Sequence, residues 1–340
     1  MSELCYEFPP GVVLRIVSRH SHVLAYFDAE YGAFRTAGTA DVQLNVHVGR
    51  QGNIAHSPDA IVHRRRHKLT SWTITFTDLD SERTGVEFDG HGVMTLPYLQ
   101  SFYIEPLLRL KLLLRDHALV HGASVCKGSQ SRLFVGGSRV GKTTLTLSQA
   151  ERGNAVQGDN YVILSPTGTS IAFPRRLRIY PDLRRSLPTV HRRLPLTTRT
   201  RLKSYAILNW LSRGYANPAT RVPLAQLVPD CKVTPEAVVE SVFVLRPHAG
   251  KDLVGPTSIS LDQTVTEIQS HASKEAAWLT EAIAPYVSDH PESSLNSARV
   301  AEASILNRAL SHVSTFEILV PRVDDVGELA RDMSRIAGLA

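Results

Sequence analysis

Residues 133–164 read LFVGGSRVGKTTLTLSQAERGNAVQGDNYVIL, and eight of them constrain the chain more than any other stretch. Gly136-Gly137-Ser138-Arg139-Val140-Gly141-Lys142-Thr143 satisfies the spacing G-x-x-x-x-G-K-[ST]. The flanks agree with it. Arg132 to Val135 reads as a short buried strand, and Thr144 to Arg152 as a helix closed by Gly153. A strand that turns through glycines into a helix points successive backbone N–H groups at one spot, where the helix dipole adds partial positive charge. Such a cradle suits a phosphate chain. Lys142 would then reach the terminal phosphates, and the Thr143 hydroxyl would serve Mg²⁺, with Thr144 opening the helix. The spacing therefore implies a nucleoside triphosphate, with ATP and Mg²⁺ as the expected cofactors, rather than a glycine turn that happens to hold a lysine.

With 340 residues, the chain is better divided into two domains than one. Hydrophobic residues at 43% and charged residues at 21% suit a globular chain with a sizeable core. Cys5, Cys126 and Cys231 lie far apart without C-x-x-C spacing, which speaks against a disulfide framework or zinc cluster and suits a reducing compartment. The opening MSELCYEFPP does not resemble a signal peptide, and no apolar run is long enough to cross a membrane. A cytoplasmic protein with no membrane partner is the expectation. No histidine spacing suggests a metal site. The net charge of +6 is unevenly placed, with arginines clustered at 64–66 and from 175 to 203.

Residues 11 to 96 look β-rich. Val12–Val17, Leu44–Val48 and Trp72–Phe76 read as strands, and Asp28, Gly32, Gly38, Asp78, Asp80, Asp89 and Gly90 as turns between them. Arg64-Arg65-Arg66-His67-Lys68 is expected in an exposed hairpin connection. The pattern sets a β-rich accessory domain over 1–98 and an α/β domain over 99–340. Tyr103 to Leu114 reads as a linking helix, tolerating Pro106 in its first turn. Ala118 to Cys126 reads as a strand, Lys127 to Gln130 as a turn, and the next strand enters the glycine loop. A hairpin feeding the loop departs from the usual parallel sheet with helical crossovers. Further on, Val238–Leu245 reads as a core strand, and Leu261–Ser270, Glu275–Ile283 and Ala298–His312 as helices.

The run His121-Gly122-Ala123-Ser124-Val125, the loop, Glu151-Arg152-Gly153 and Gly158-Asp159-Asn160 resemble the HPr kinase/phosphorylase family. They are closer still to its diverged relatives, the peptide-tailoring kinases found beside lasso-peptide genes. The resemblance covers roughly residues 100 to 180, with an echo in Val313–Ile318 and a helix from about Asp324. It implies a P-loop core like that of HPr kinase and phosphoenolpyruvate carboxykinase. It also implies a phosphotransferase acting on an alcohol, here a Ser or Thr hydroxyl of a peptide or small protein such as a ribosomally made precursor. Two positions depart from the pattern: Arg139 stands in place of a Gly, and Asn160 in place of a second Asp. Asp182 is the nearest acid at the spacing of a later family glutamate.

By the same resemblance Asp159 faces the γ-phosphate. It accepts the proton of the incoming hydroxyl, sits on the metal side, or is simply a turn residue. His121 lies near the phosphates, where it would touch an oxygen or orient Asp159, unless it is an ordinary core histidine. The segment 174–203, PRRLRIYPDLRRSLPTVHRRLPLTTRTRLK, interleaves arginines with prolines, so no single helical stripe accounts for them. It reads as a mobile substrate-side segment in which Arg175, Arg176 or Arg178 grips a phosphate or anionic acceptor, or else as a solvated basic loop. Few aromatics accompany these arginines, so nucleic acid is not the expected partner. Two further readings stay open: a kinase for a small molecule such as free serine, and a nucleotide-binding regulatory module without catalysis. Self-association also stays open.

Overall fold

The computed structural model describes residues 1–38, 42–49, 60–68, 70–90, 92–138, 140–321 and 326–339. The chain is mixed α/β. It begins β1 (Ser2–Phe8), β2 (Val12–Ser18), α1 (Ser21–Tyr31), β3 (Arg35–Thr36), β4 (Val42–Val48), β5 (Ile61–His67), β6 (Thr70–Thr77), β7 (Arg83–Gly90). A helical run follows, α2 (Leu96–Leu99) and α3 (Glu105–Leu113), joined by a wider turn over Gln100–Ile104. Then come β8 (Ala118–Lys127), β9 (Gln130–Gly136), α4 (Lys142–Glu151), β10 (Ala155–Gly158), β11 (Tyr161–Leu164), β12 (Thr169–Ile171) and β13 (Leu177–Ile179). The arginine-rich segment forms α5 (Leu183–Ser186), α6 (Pro188–Arg193) and α7 (Leu196–Leu211), before β14 (Thr220–Val222) and α8 (Leu224–Leu227). The chain closes with β15 (Glu236–His248), β16 (Val254–Ser258), α9 (Leu261–Glu275), α10 (Ala277–Asp289), α11 (Ser294–Leu310), β17 (Ser314–Pro321) and α12 (Val326–Ile336).

Two compact units result: Met1–Leu119 with Gln269–Leu306, and Val120–Ile268 with the chain from Asn307 on. The division expected at 98/99 thus falls at 119/120, and one segment returns to the first unit. Leu107, Leu108 and Leu112 of α3 are buried there, and Arg109 pairs with Glu302 of α11, its Nε 2.6 Å from the carboxylate. No local pattern announces contacts so far apart in sequence.

The first unit holds a seven-stranded sheet in the order β3-β1-β2-β4-β7-β6-β5, with β2, β4 and β7 parallel and the rest antiparallel. Leu44, Val46, Trp72, Ile74 and Phe76 point inward, as their alternation predicts. Three residues expected in turns lie inside regular elements. Asp28 is in α1, held by buried Phe27 and Tyr31, and Asp89 and Gly90 end β7 behind buried Val86 and Phe88. Burial of apolar neighbours outweighs their turn preference. The expected connection at Arg64–Arg66 is likewise strand β5, paired Arg64 to Thr73 and Arg65 to Trp72. Alternation sends Arg64 and Arg66 outward, while Arg65 turns in over the Trp278 ring at 4.2 Å and pairs with Glu281.

The second unit contains an eight-stranded sheet, β10-β8-β11-β12-β15-β17-β16, with β9 paired to both β8 and β15. β8 and β9 form the antiparallel hairpin expected ahead of the glycine loop, while β9, β15 and β17 run parallel. Helix α4 lies between two apolar clusters. Leu145 joins Phe134, Phe243, Ile318 and Met333, whereas Leu147 and Ala150 join Ile179, Val190, Leu202 and Leu227. The expected mobile segment after residue 174 is therefore ordered secondary structure on that second cluster. Its prolines stand where helices tolerate them, Pro188 in the first turn of α6 and Pro195 just before α7.

Candidate functional site

Buried Leu133, Phe134 and Val135 drive β9 through the sheet, and Gly136 ends it. A side chain there would lie 2.8 Å from the Leu245 carbonyl oxygen of neighbouring β15, so the position requires glycine. The loop then runs through Gly137, Ser138 and Val140, whose side chain is buried in the core; Arg139 lies outside the described residues. Gly141 takes φ +85°, a left-handed conformation that sets the N-terminus of α4. Lys142 opens the helix, nearly buried. Its Nζ donates to the carbonyls of Gly136 at 2.6 Å and Gly137 at 2.8 Å, so the ammonium is folded back over the loop. Thr143 and Thr144, one residue further in, are partly exposed.

The hydroxyl of Thr143 donates to Asp159 Oδ2 at 2.9 Å. Asp159 sits in the bend between β10 and β11. Gly158 permits that bend, because a Cβ there would come within 2.1 Å of the Tyr161 carbonyl oxygen. Although the residue keeps some accessible surface, Oδ1 is shut off from solvent and has no hydrogen-bond partner among the described residues. Burial pushes the carboxyl pKa up; the Thr143 hydrogen bond and the charges of Lys142 and His121 pull it back. Thr146, one turn along α4, acts in the same downward direction without a bond of ordinary geometry.

His121 comes from β8. The N–H of Gly122 donates to the Asn160 carbonyl at 3.1 Å, and a Cβ on Gly122 would meet the Phe134 carbonyl oxygen at 2.9 Å. The His-Gly pair thus brings β8 against the Asp159 bend. The buried His121 ring meets the edge of Tyr161 at 5.4 Å, and the Arg175 guanidinium lies over the same Tyr161 ring at 5.5 Å. Lys142, Thr143, Asp159 and His121 are therefore gathered together, and Arg175 connects to them through Tyr161. Arg178 instead lies in β13 opposite Arg221 of β14, in a separate two-stranded sheet, and Arg176 is a half-buried residue just before that strand. Asp182 stands at the N-terminus of α5.

Two features escaped the sequence reading. Tyr161 links His121 to Arg175, and its only local signal is its place directly after Asp159-Asn160. The second is a buried polar knot that holds β10. Gln157 accepts from Ser124 at 2.7 Å and Ser170 at 2.8 Å, donates to the Ser170 carbonyl at 2.8 Å, and Ser170 meets Ser131 at 2.7 Å. Fully paired networks of this kind are rigid. This one fixes the strand whose end presents Asp159.

The donor set suits magnesium nucleotide. Mg²⁺ is bound through one or two protein oxygens plus phosphates and water, and Thr143 Oγ1 with Asp159 offers such a pair. Among the described residues no cluster of three or more His, Cys, Asp or Glu exists to hold a metal by protein ligands alone. Among the described residues no helix is long and apolar enough to cross a membrane. No protein-family model matches the chain, and no curated protein is significantly similar to it.

Proposed function

We propose that the chain is an ATP- and Mg²⁺-dependent kinase that phosphorylates a Ser or Thr hydroxyl of a peptide or small protein, acting in the cytoplasm and without a membrane partner. One observation carries the reading: Asp159, with its Oδ1 closed off from solvent, is bound by the hydroxyl of the very loop whose lysine would hold the phosphates. A hairpin entering the loop, a His-Gly pair on its outer strand and an acid in the bend beyond the helix support an HPr kinase-like core.

Phosphoryl transfer demands positioning and charge stabilisation more than covalent chemistry. The loop amides and Lys142 hold the phosphates, and Thr143 and Asp159 serve the metal side. Bound Mg·ATP supplies the transferable phosphoryl group and neutralises its charge. Asp159 would take the proton of an acceptor hydroxyl brought against Oδ1, which has no hydrogen-bond partner among the described residues. His121 orients the carboxylate, and Arg175 adds positive charge on the acceptor side.

The test is [γ-³²P]ATP turnover with serine- and threonine-bearing peptides, alongside free serine, for the native protein and Asp159→Ala. Label transferred to peptide by the native protein alone supports the proposal. Transfer to free serine only would move the acceptor to a metabolite, and full transfer by Asp159→Ala would overturn the assignment.

A further inference from the structure

Helix α7 has two apolar faces, and only one is used. Leu202 is buried in the cluster shared with α4, and Tyr205 packs beside it. On the opposite side Leu196, Thr200, Ser204, Ile207 and Leu211 recur at spacings of four, four, three and four, which aligns them along one face. Leu196 is 70% exposed, Leu211 65% and Ile207 59%, with Trp210 at 77% on the same side and Tyr215 at 79% just beyond the helix. Large exposed side chains at the two ends of this 16-residue helix, about 24 Å long, with Thr200 and Ser204 between them, mark a contact surface.

Its charge indicates the occupant. From Asp182 to Asp230 the chain contains no acidic residue between those two, yet it carries eight arginines and one lysine. Arg199 flanks the stripe on one side and Arg201 on the other, and Lys203 rises between Ile207 and Trp210. A second copy of this helix would bring like charges together. A lipid surface would have to take Lys203 and the polar Thr200–Ser204 interval into the middle of the apolar contact. Nucleic acid would stack on Trp210 and Tyr215 but leave the aliphatic Leu196, Ile207 and Leu211 without contact. An acidic helix satisfies both features, with apolar residues meeting the stripe and carboxylates meeting the planar guanidinium forks.

We infer that the outer face of α7 docks an acidic amphipathic peptide helix. As a dock for the phosphate acceptor it rests on the kinase reading, while the surface itself does not. The peptide would be held on the same unit as the phosphate loop, through the core that Leu202 shares with Leu147 and Ala150. Recognition would then reside in a helical segment distinct from the hydroxyl that is modified.

Trp210 supplies the readout, since Trp72 is buried and Trp278 stacks on Phe102 at 4.0 Å. The full-length protein is titrated with a synthetic helix of about 18 residues, carrying leucines at i, i+4, i+7 and i+11 and glutamates beside them. A blue shift of Trp210 emission that saturates is expected, and it should vanish in Trp210→Phe. Ile207→Glu with Leu211→Glu, both exposed and therefore tolerated by the fold, should weaken binding roughly tenfold or more. Arg199→Glu with Lys203→Glu should reverse the preference toward a lysine version of the peptide. No shift, equal response to the acidic and basic peptides, or a shift with phosphatidylserine vesicles but not with peptide would each overturn the inference. Because this binding needs no ATP, its failure leaves phosphotransfer untouched, and lost phosphotransfer leaves the binding intact.

Discussion

The hydroxyl of Thr143, second residue of α4, donates to Asp159 Oδ2 at 2.9 Å, joining residues 16 apart across the helix and the following strand. That bond ties the glycine loop to the bend beyond β10. It also opposes the burial that raises the Asp159 pKa from its ordinary 3.8. The balance between these two influences is measurable.

If Asp159 accepts a proton, the rate rises with pH through its pKa and gives the profile an acid limb. Thr143→Ala removes a bond that favours the ionised form, so the limb should move to higher pH, and Thr143→Ser should restore it. The check is kcat/KM between pH 4 and 9, normalised for each variant. A limb that stays put would detach Asp159 from proton transfer.

The same raised pKa has a consequence for stability. The folded state binds more protons than the unfolded one between the ordinary value and the folded pKa, so stability falls as pH rises through that interval and the loss persists above it. Asp159→Asn keeps an acceptor for Thr143 and removes the charge. It should melt a few degrees higher at pH 7, with phosphotransfer about 10²–10⁴-fold slower. Calorimetry and turnover on one preparation read both.

Mg·ATP should raise the melting temperature of the native protein, by about 2.7 kcal/mol of added stability at a hundred times Kd. In Lys142→Ala that increment should disappear, because the ammonium now held by the Gly136 and Gly137 carbonyls is the group expected to turn to the phosphates. An unchanged ligand-induced shift would remove Lys142 from the site.

Gly158→Ala places a methyl 2.1 Å from the Tyr161 carbonyl oxygen, so the bend carrying Asp159 must open. A loss of about 1–3 kcal/mol is expected from the overpacking, together with slower phosphotransfer at unchanged nucleotide affinity. Denaturant melts and a nucleotide titration separate the two effects.

In the first unit, Glu302 is almost completely buried and pairs with Arg109, whose Nε is 2.6 Å away, while Gln269 donates to it at 3.3 Å. Glu302→Ala strands a partly buried guanidinium and should cost about 3 kcal/mol. By the same reasoning residues 1–119 expressed alone, without 269–306, should not melt cooperatively.

What the sequence determined by itself was the machinery encoded in short spacing. The glycine loop with its strand and helix and the β8–β9 hairpin follow from residues a few positions apart, whose backbone conformations and periodicity are local, while Asp159 was marked only by a resemblance. Tertiary structure decided everything that depends on a partner distant in the chain. The Arg64–Arg66 run became a strand because β6 lay ready to pair with it. The arginine segment became helices because Val190, Leu194 and Leu202 found the back of α4. Residues 269–306 returned to the first unit, and Tyr161 came between His121 and Arg175. Burial and charge pairing reward proximity in space, and proximity between residues tens to hundreds of positions apart is written in no single stretch.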